Sequence, residues 1–215
     1  MKIGTSRVET FSDGVIAIII TIMVLSIKLP DMTKQATGIS VKHSLQQMLP
    51  FLITYSVSFL MIGIFWLNHH HMFHLLEKTD ESLLLQNLLF LFWVSLIPVA
   101  TVLINANPLI KESVAFYGFI LFMTTLTFSL MRSYTIKKKL VHSDRRIAVT
   151  REIYSVSSRG RTKSYVGTLA YLLSVPLAFV SVYISFICIA IPPILFFIPD
   201  GIDDEKLAQK ISDKN

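Results

Sequence analysis

Five apolar stretches, each closed by charged or helix-stopping residues, set the pattern along this chain, and the last is long enough to divide in two. The first predicted span covers residues 7–29. Ser6 and Glu9 stand at capping-box spacing before it, and Pro30-Asp31 stops it. Its 23 residues rise about 34 Å at helical pitch, enough to cross a bilayer core of about 30 Å. The second span covers residues 50–71, with Pro50 suited to a first helical turn. The third covers residues 83–104, with a kink expected at Pro98, and the fourth residues 113–134. Residues 165–199 exceed one ordinary span, so two short helices, 163–178 and 180–199, are expected on either side of the Val175-Pro176 region. The pattern predicts an all-α integral membrane protein with six transmembrane helices. They form one domain over residues 1–199, followed by a polar cytoplasmic tail, 200–215. No internal repeat divides it.

Composition agrees with this picture. Hydrophobic residues make up 53% of the 215 and charged residues only 16%, with mean hydropathy +0.60. A soluble core has no need of several runs that each match the bilayer. The net charge of +6 does not point to nucleic acid, because the basic residues are not interleaved with aromatics but gather in one segment. Sixteen of the twenty lysines and arginines fall in residues 1–10, 72–82, 132–164 and 200–215, ten of them in 132–164. The opposite side holds only Lys28, Lys34, Lys42 and Lys111. The excess of positive charge belongs on the cytoplasmic side, so both termini are expected there, with the protein in the cell membrane. Cys188 is the only cysteine, which leaves no disulfide within the chain.

That orientation brings distant residues to one depth. Arg7, Ser12 and Asp13 lie at the inner end of the first span, and Trp66, Asn68 and His69 at the inner end of the second. Asn87 follows about a turn inside the third. A buried Arg7–Asp13 pair with amide and imidazole partners can satisfy its hydrogen bonds, whereas either charge alone is costly. The cluster can pin the first helix to the next two, or it can handle ions directly; packing is the commoner role of paired intramembrane charges.

On the first helix Phe11, Val15, Ile18, Ile22, Leu25 and Leu29 recur at three- and four-residue intervals and share a face, with Thr21 near its edge. If several copies surrounded an axis, Ile18, Ile22 and Leu25 would stack as apolar rings that gate by dewetting, and Thr21 hydroxyls would replace part of an ion's water shell. The same stripe suits ordinary packing or lipid contact, and periodicity leaves both open.

The segment Arg7-Val-Glu-Thr-Phe11-Ser12-Asp13 fits the RxxxFSD signature of the endosomal and lysosomal potassium channel family, transmembrane protein 175. Trp66-Leu-Asn-His69 resembles that family's WxxH, Lys78-Thr-Asp80 its following loop, Asn87 its third-helix asparagine, and Leu96-Ile-Pro98 its LP element. The resemblance covers about the first half closely and the second in layout alone. It implies a six-helix subunit whose first helix lines a central pore. A single-repeat chain of this kind is expected to form a homotetramer in the lipid bilayer and to pass potassium ions with modest selectivity, without cofactors. By the resemblance, the constriction falls on Ile18, further apolar layers on Ile22 and Leu25, and the selectivity threonine on Thr21. Arg7, Phe11, Ser12, Asp13, Trp66, His69 and Asn87 take the structural network. No TVGYG filter is present, since Phe116-Tyr-Gly-Phe lacks its approach. No residue is assigned to a metal.

His70, His71 and His74 exceed what the family motif requires. They raise the rival of a membrane metalloenzyme, with His70 and His74 on one helix face. Such enzymes need further histidine boxes, and His43 and His142 stand isolated. A proton-coupled carrier is a second rival. No ionisable residue sits central in any predicted span, where such a carrier needs one.

Overall fold

The computed structural model describes residues 4–26, 38–141 and 147–197. It is all-helical apart from one isolated bridge between Leu76 and Val141. Among the described residues seven α-helices follow in order: α1 Thr5–Met23, α2 Gly38–His74, α3 Glu81–Ser95, α4 Ile97–Ala106, α5 Lys111–Lys137, α6 Ile147–Val180 and α7 Val182–Phe197. A short 3₁₀ turn, Val24–Ser26, extends α1. Among the described residues four stretches are long and apolar enough to cross a membrane: Met48–His74, Glu81–Ala106, Lys111–Lys137 and Gly160–Val180. The second of these is α3 and α4 together. Arg7, Glu9 and Asp13 dilute the hydropathy of α1, and α7 is only 16 residues long.

Helix α5 is the scaffold. It packs most heavily on α6 and also against α3, α4 and α7. Two-thirds of its most apolar window is buried. Where α5 and α6 approach closely, small residues make room, as expected when packing rather than solvent exclusion drives association in lipid. A Cβ on Gly118 would collide with the Ser174 hydroxyl, and one on Gly160 with the Arg132 guanidinium. Ser129 and Thr168 hydroxyls bond across the same interface at 3.0 Å. Helix α1 lies at the other extreme, with one face on α2 and α3 and the other uncovered.

Several boundaries differ from the sequence expectation. The cap of α1 is Gly4, not Ser6, and no side chain caps it. Glu9, expected to reach back to the helix start, instead approaches His70 at 3.0 Å. Pro50 does not open α2 but lies inside it. A proline there removes one backbone hydrogen bond, and the helix continues into a polar first section that hydropathy does not mark. The Pro98 kink is a full break at Leu96, and Pro98 falls in the first turn of α4, where its missing N–H costs nothing.

The basic segment 132–164 is largely helix: α5 runs on to Lys137, and α6 begins at Ile147. Between them Lys139 takes a positive φ of 54°, closing α5 through a bond from Leu140 N–H to Thr135 O at 3.0 Å. The α6–α7 break falls at Ser181, with Pro176 retained inside α6. Leu29, His142 and the tail 200–215 lie outside the described residues.

Candidate functional site

The buried face of α1 carries Val8, Ser12, Ile16, Ile19 and Met23 at helical spacing. Near the start of α1 Ser12 joins a chain of hydrogen bonds through three helices. The Ser12 hydroxyl donates to Val8 O at 2.8 Å, so its oxygen is free to accept the Asn87 Nδ2–H, also at 2.8 Å. Asn87 then presents Oδ1 to His69 Nε2 at 2.8 Å. The donors run one way, which fixes the His69 tautomer with its proton on Nε2. All three side chains are buried. His69 is stacked on Phe73, with ring centroids 4.3 Å apart, and on Phe90 at 5.6 Å.

Asp13 sits beside this chain. Its Oδ1 accepts the Trp66 indole N–H at 2.9 Å, and Trp66 in turn stacks on His70 at 5.8 Å. Thus Ser12, Asp13, Trp66, His69 and Asn87 come together as their shared depth implied. Three of the expected members do not join: Phe11 is 53% exposed on the opposite side of α1, and Arg7 and Asn68 turn elsewhere. Arg7 is exposed, and among the described residues it forms no ion pair with Asp13. Asn68 turns back to Ile64 O at 2.8 Å, while its carbonyl accepts from Arg132 at 3.4 Å.

Two residues that hydropathy counting missed anchor the same end of the bundle. Arg132, counted among loop cations, is buried within α5. Its guanidinium lies 4.8 Å from the Phe128 ring centre and bonds Ser164 Oγ at 3.2 Å. Phe128 and Arg132 at i, i+4 were the available signal. Asp80 caps α3 by accepting Leu83 N–H on Oδ1 at 2.8 Å. Its other oxygen accepts the Tyr134 hydroxyl at 2.6 Å, tying α5 to the same loop. An aspartate three positions ahead of Leu83, followed by Glu81 in the first turn, marks such a cap.

The opposite face of α1 is uncovered in the single chain. Ile18 is 58% exposed, Ile22 52% and Leu25 80%. Phe11 and Thr21 share the exposed side, while Val15, placed on the same stripe by spacing, is half-buried. Thr21 donates its hydroxyl proton to its own helix, 3.0 Å from Ala17 O and 2.9 Å from Ile18 O. Its oxygen lone pairs therefore remain available to a cation. The histidines after the WxxH segment do not converge as a catalytic box: His69 turns to Asn87, and His70 and His74 rings stack at 6.1 Å.

The fold is that of a helical protein with several stretches long and apolar enough to cross a membrane. A sequence profile described as the endosomal/lysosomal potassium channel TMEM175 matches residues 7–98. A Chryseobacterium protein named as a potassium channel is 35% identical over 194 residues, spanning 90% of this chain and 93% of its own. A Chamaesiphon minutus protein, also named as a potassium channel, is 32% identical over 185 residues, spanning 84% and 87%. In three dimensions the chain resembles a lysosomal potassium-selective channel TMEM175 homologue from Chamaesiphon minutus. The TM-score is 0.75 at 27% identity, over 92% of this chain and 98% of that one. The chain belongs to the TMEM175 channel family. These relatives are channels, not enzymes, and the metalloenzyme alternative falls with that.

Proposed function

We propose that this chain is one subunit of a homotetrameric, potassium-permeable leak channel of modest selectivity, with the uncovered face of α1 turned to the central axis. One observation carries the proposal: α1 has two apolar faces, and only the one bearing Ser12 is packed within the subunit. The names of the relatives support potassium as the permeant ion. Rings of Ile18, Ile22 and Leu25 around an axis would dewet the conduit when narrow, and a small widening would rehydrate it. Thr21, one turn beyond Ile18, would offer four oxygens in place of part of the hydration shell. The inner lock of Ser12, Asn87 and His69, with Asp13 on Trp66, would hold α1 at a fixed rotation.

The concentration of basic residues on one side supports a cell-membrane protein with both termini cytoplasmic. We take residues 1–199 as one channel domain and 200–215 as its cytoplasmic tail.

Potassium flux into proteoliposomes tests the proposal. Purified protein should pass potassium without an added energy source, and Ile18→Asn should raise the rate severalfold by hydrating the constriction. Flux unchanged by Ile18→Asn would remove Ile18 as the gate, and no flux from either protein would defeat the channel reading.

A further inference from the structure

Glu9 and Asp13 stand one turn apart on α1, and His70 faces them from α2. One ligand-capable atom from each lies within 4.8 Å of the other two. His70 Nδ1 is 3.0 Å from Glu9 Oε1, yet that nitrogen is a buried atom that makes no hydrogen bond. Two ligands bound to a tetrahedral zinc ion at about 2.0–2.2 Å are about 3.3 Å apart. The His70–Glu9 separation of 3.0 Å is close to that spacing, and all three ligand atoms lie within 4.8 Å of one another. The three side chains are positioned from outside the cluster: Trp66 holds Asp13 Oδ1 at 2.9 Å and stacks on the His70 ring. Two carboxylates at i, i+4 repel each other, and a cation between them removes that repulsion. The His70 and Glu9 side chains are 42% and 23% exposed, while the His70 Nδ1 atom itself is turned inward to the carboxylates.

We propose that Glu9, Asp13 and His70 form a binding site for a divalent first-row transition-metal ion, with zinc as the best-matched member. One imidazole nitrogen and two carboxylate oxygens favour a borderline ion over magnesium or calcium, which prefer all-oxygen shells. Three protein ligands leave a fourth position for water. The ion clamps the start of α1 to the end of α2. The site differs from the His70–His74 pair, because His70 is aimed at α1. Binding itself does not depend on the proposed conduction; only an effect of the clamp on flux rests on that proposal.

The test is zinc titration of the purified full-length protein by calorimetry, with X-ray absorption at the zinc edge. Wild type should take up one zinc per chain, and the absorption spectrum should show nitrogen and oxygen ligands without sulfur. Loss of even an outer partner of a metal site costs about 10- to 100-fold in affinity. Glu9→Gln and His70→Ala each remove a ligand and should cost at least that much, whereas His74→Ala should bind as wild type does. Glu9→Gln keeps the side-chain shape, so it decides the matter if His70→Ala fails to fold. No stoichiometric uptake by wild type would overturn the proposal. So would a loss in His74→Ala as large as in His70→Ala while Glu9→Gln binds normally. Calorimetry reads binding without flux, so a failure here and a failure of the channel proposal are separable.

Discussion

Helices α5 and α1 both carry hydroxyls and charged groups through an apolar environment, yet they treat them in opposite ways. On α5 Thr124, Thr125, Ser129 and Arg132 are all buried, and each is bonded to its own backbone or to a neighbouring helix. On α1 only the Ser12 side is buried; Thr21 also bonds its own backbone, yet it is exposed. Ile18 and Ile22, on either side of Thr21, are left uncovered by the other described helices. A helix whose polar groups are all paired within the subunit is a structural core element. One with a second, uncovered apolar face and an available hydroxyl oxygen is suited to meet copies of itself and an ion.

Substitutions on the two helices should therefore fail differently. The largest effect is expected at the α5–α6 contact. Gly118→Leu places a branched side chain where a single Cβ already collides with Ser174. Overpacking of this kind costs roughly 1–3 kcal/mol or more, and it should appear as a lower melting temperature and loss of the monodisperse peak in size-exclusion chromatography. Next comes Asn87→Ala, which strands the His69 Nε2–H and leaves the Ser12 oxygen without its donor in a buried site. Each buried unsatisfied group costs about 1–3 kcal/mol. The melting temperature should fall, and Ser12→Ala in the same background should then add little, as partners in one chain of bonds are not additive.

The smallest stability effect is expected at Thr21→Ala. Its hydroxyl bonds only its own helix, so stability should stay within about 0.5 kcal/mol of wild type. The preference for potassium over sodium should nevertheless erode in a proteoliposome flux assay. Preference retained in full would take Thr21 off the conduction path.

What the sequence disclosed, and what it concealed, follows from the same contrast. Helix faces inside the bilayer are written in the spacing of apolar residues, so the stripe of Ile18, Ile22 and Leu25 was legible, but spacing alone did not say which face of α1 the subunit packs. The meeting of Ser12, His69 and Asn87 was legible too, because topology alone set them at one depth. Helix outside the membrane carries no such signal. The polar beginnings of α2 and α6 read as loops, and Arg132 was counted as a loop cation although Phe128 and Ser164 receive it inside the bundle. Asp13 was expected to pair with Arg7, but one indole N–H serves it instead. Charge counting cannot see a neutral donor. The turn of His70 toward Glu9 was hidden for a similar reason, since spacing along α2 pointed to His74.

The central claim is that the uncovered face of α1, and not its packed face, borders a shared aqueous path. Thiol modification tests it directly, in a Cys188→Ser background that leaves the chain without other cysteines. Ile18→Cys, on the face that is 58% exposed, and Ile19→Cys, at 7%, would each be treated with a water-soluble, charged thiol reagent during potassium flux. Modification should abolish or strongly alter flux through Ile18→Cys and leave Ile19→Cys unchanged. Flux through Ile18→Cys that ignores the reagent, with Ile19→Cys the sensitive position, would contradict that claim.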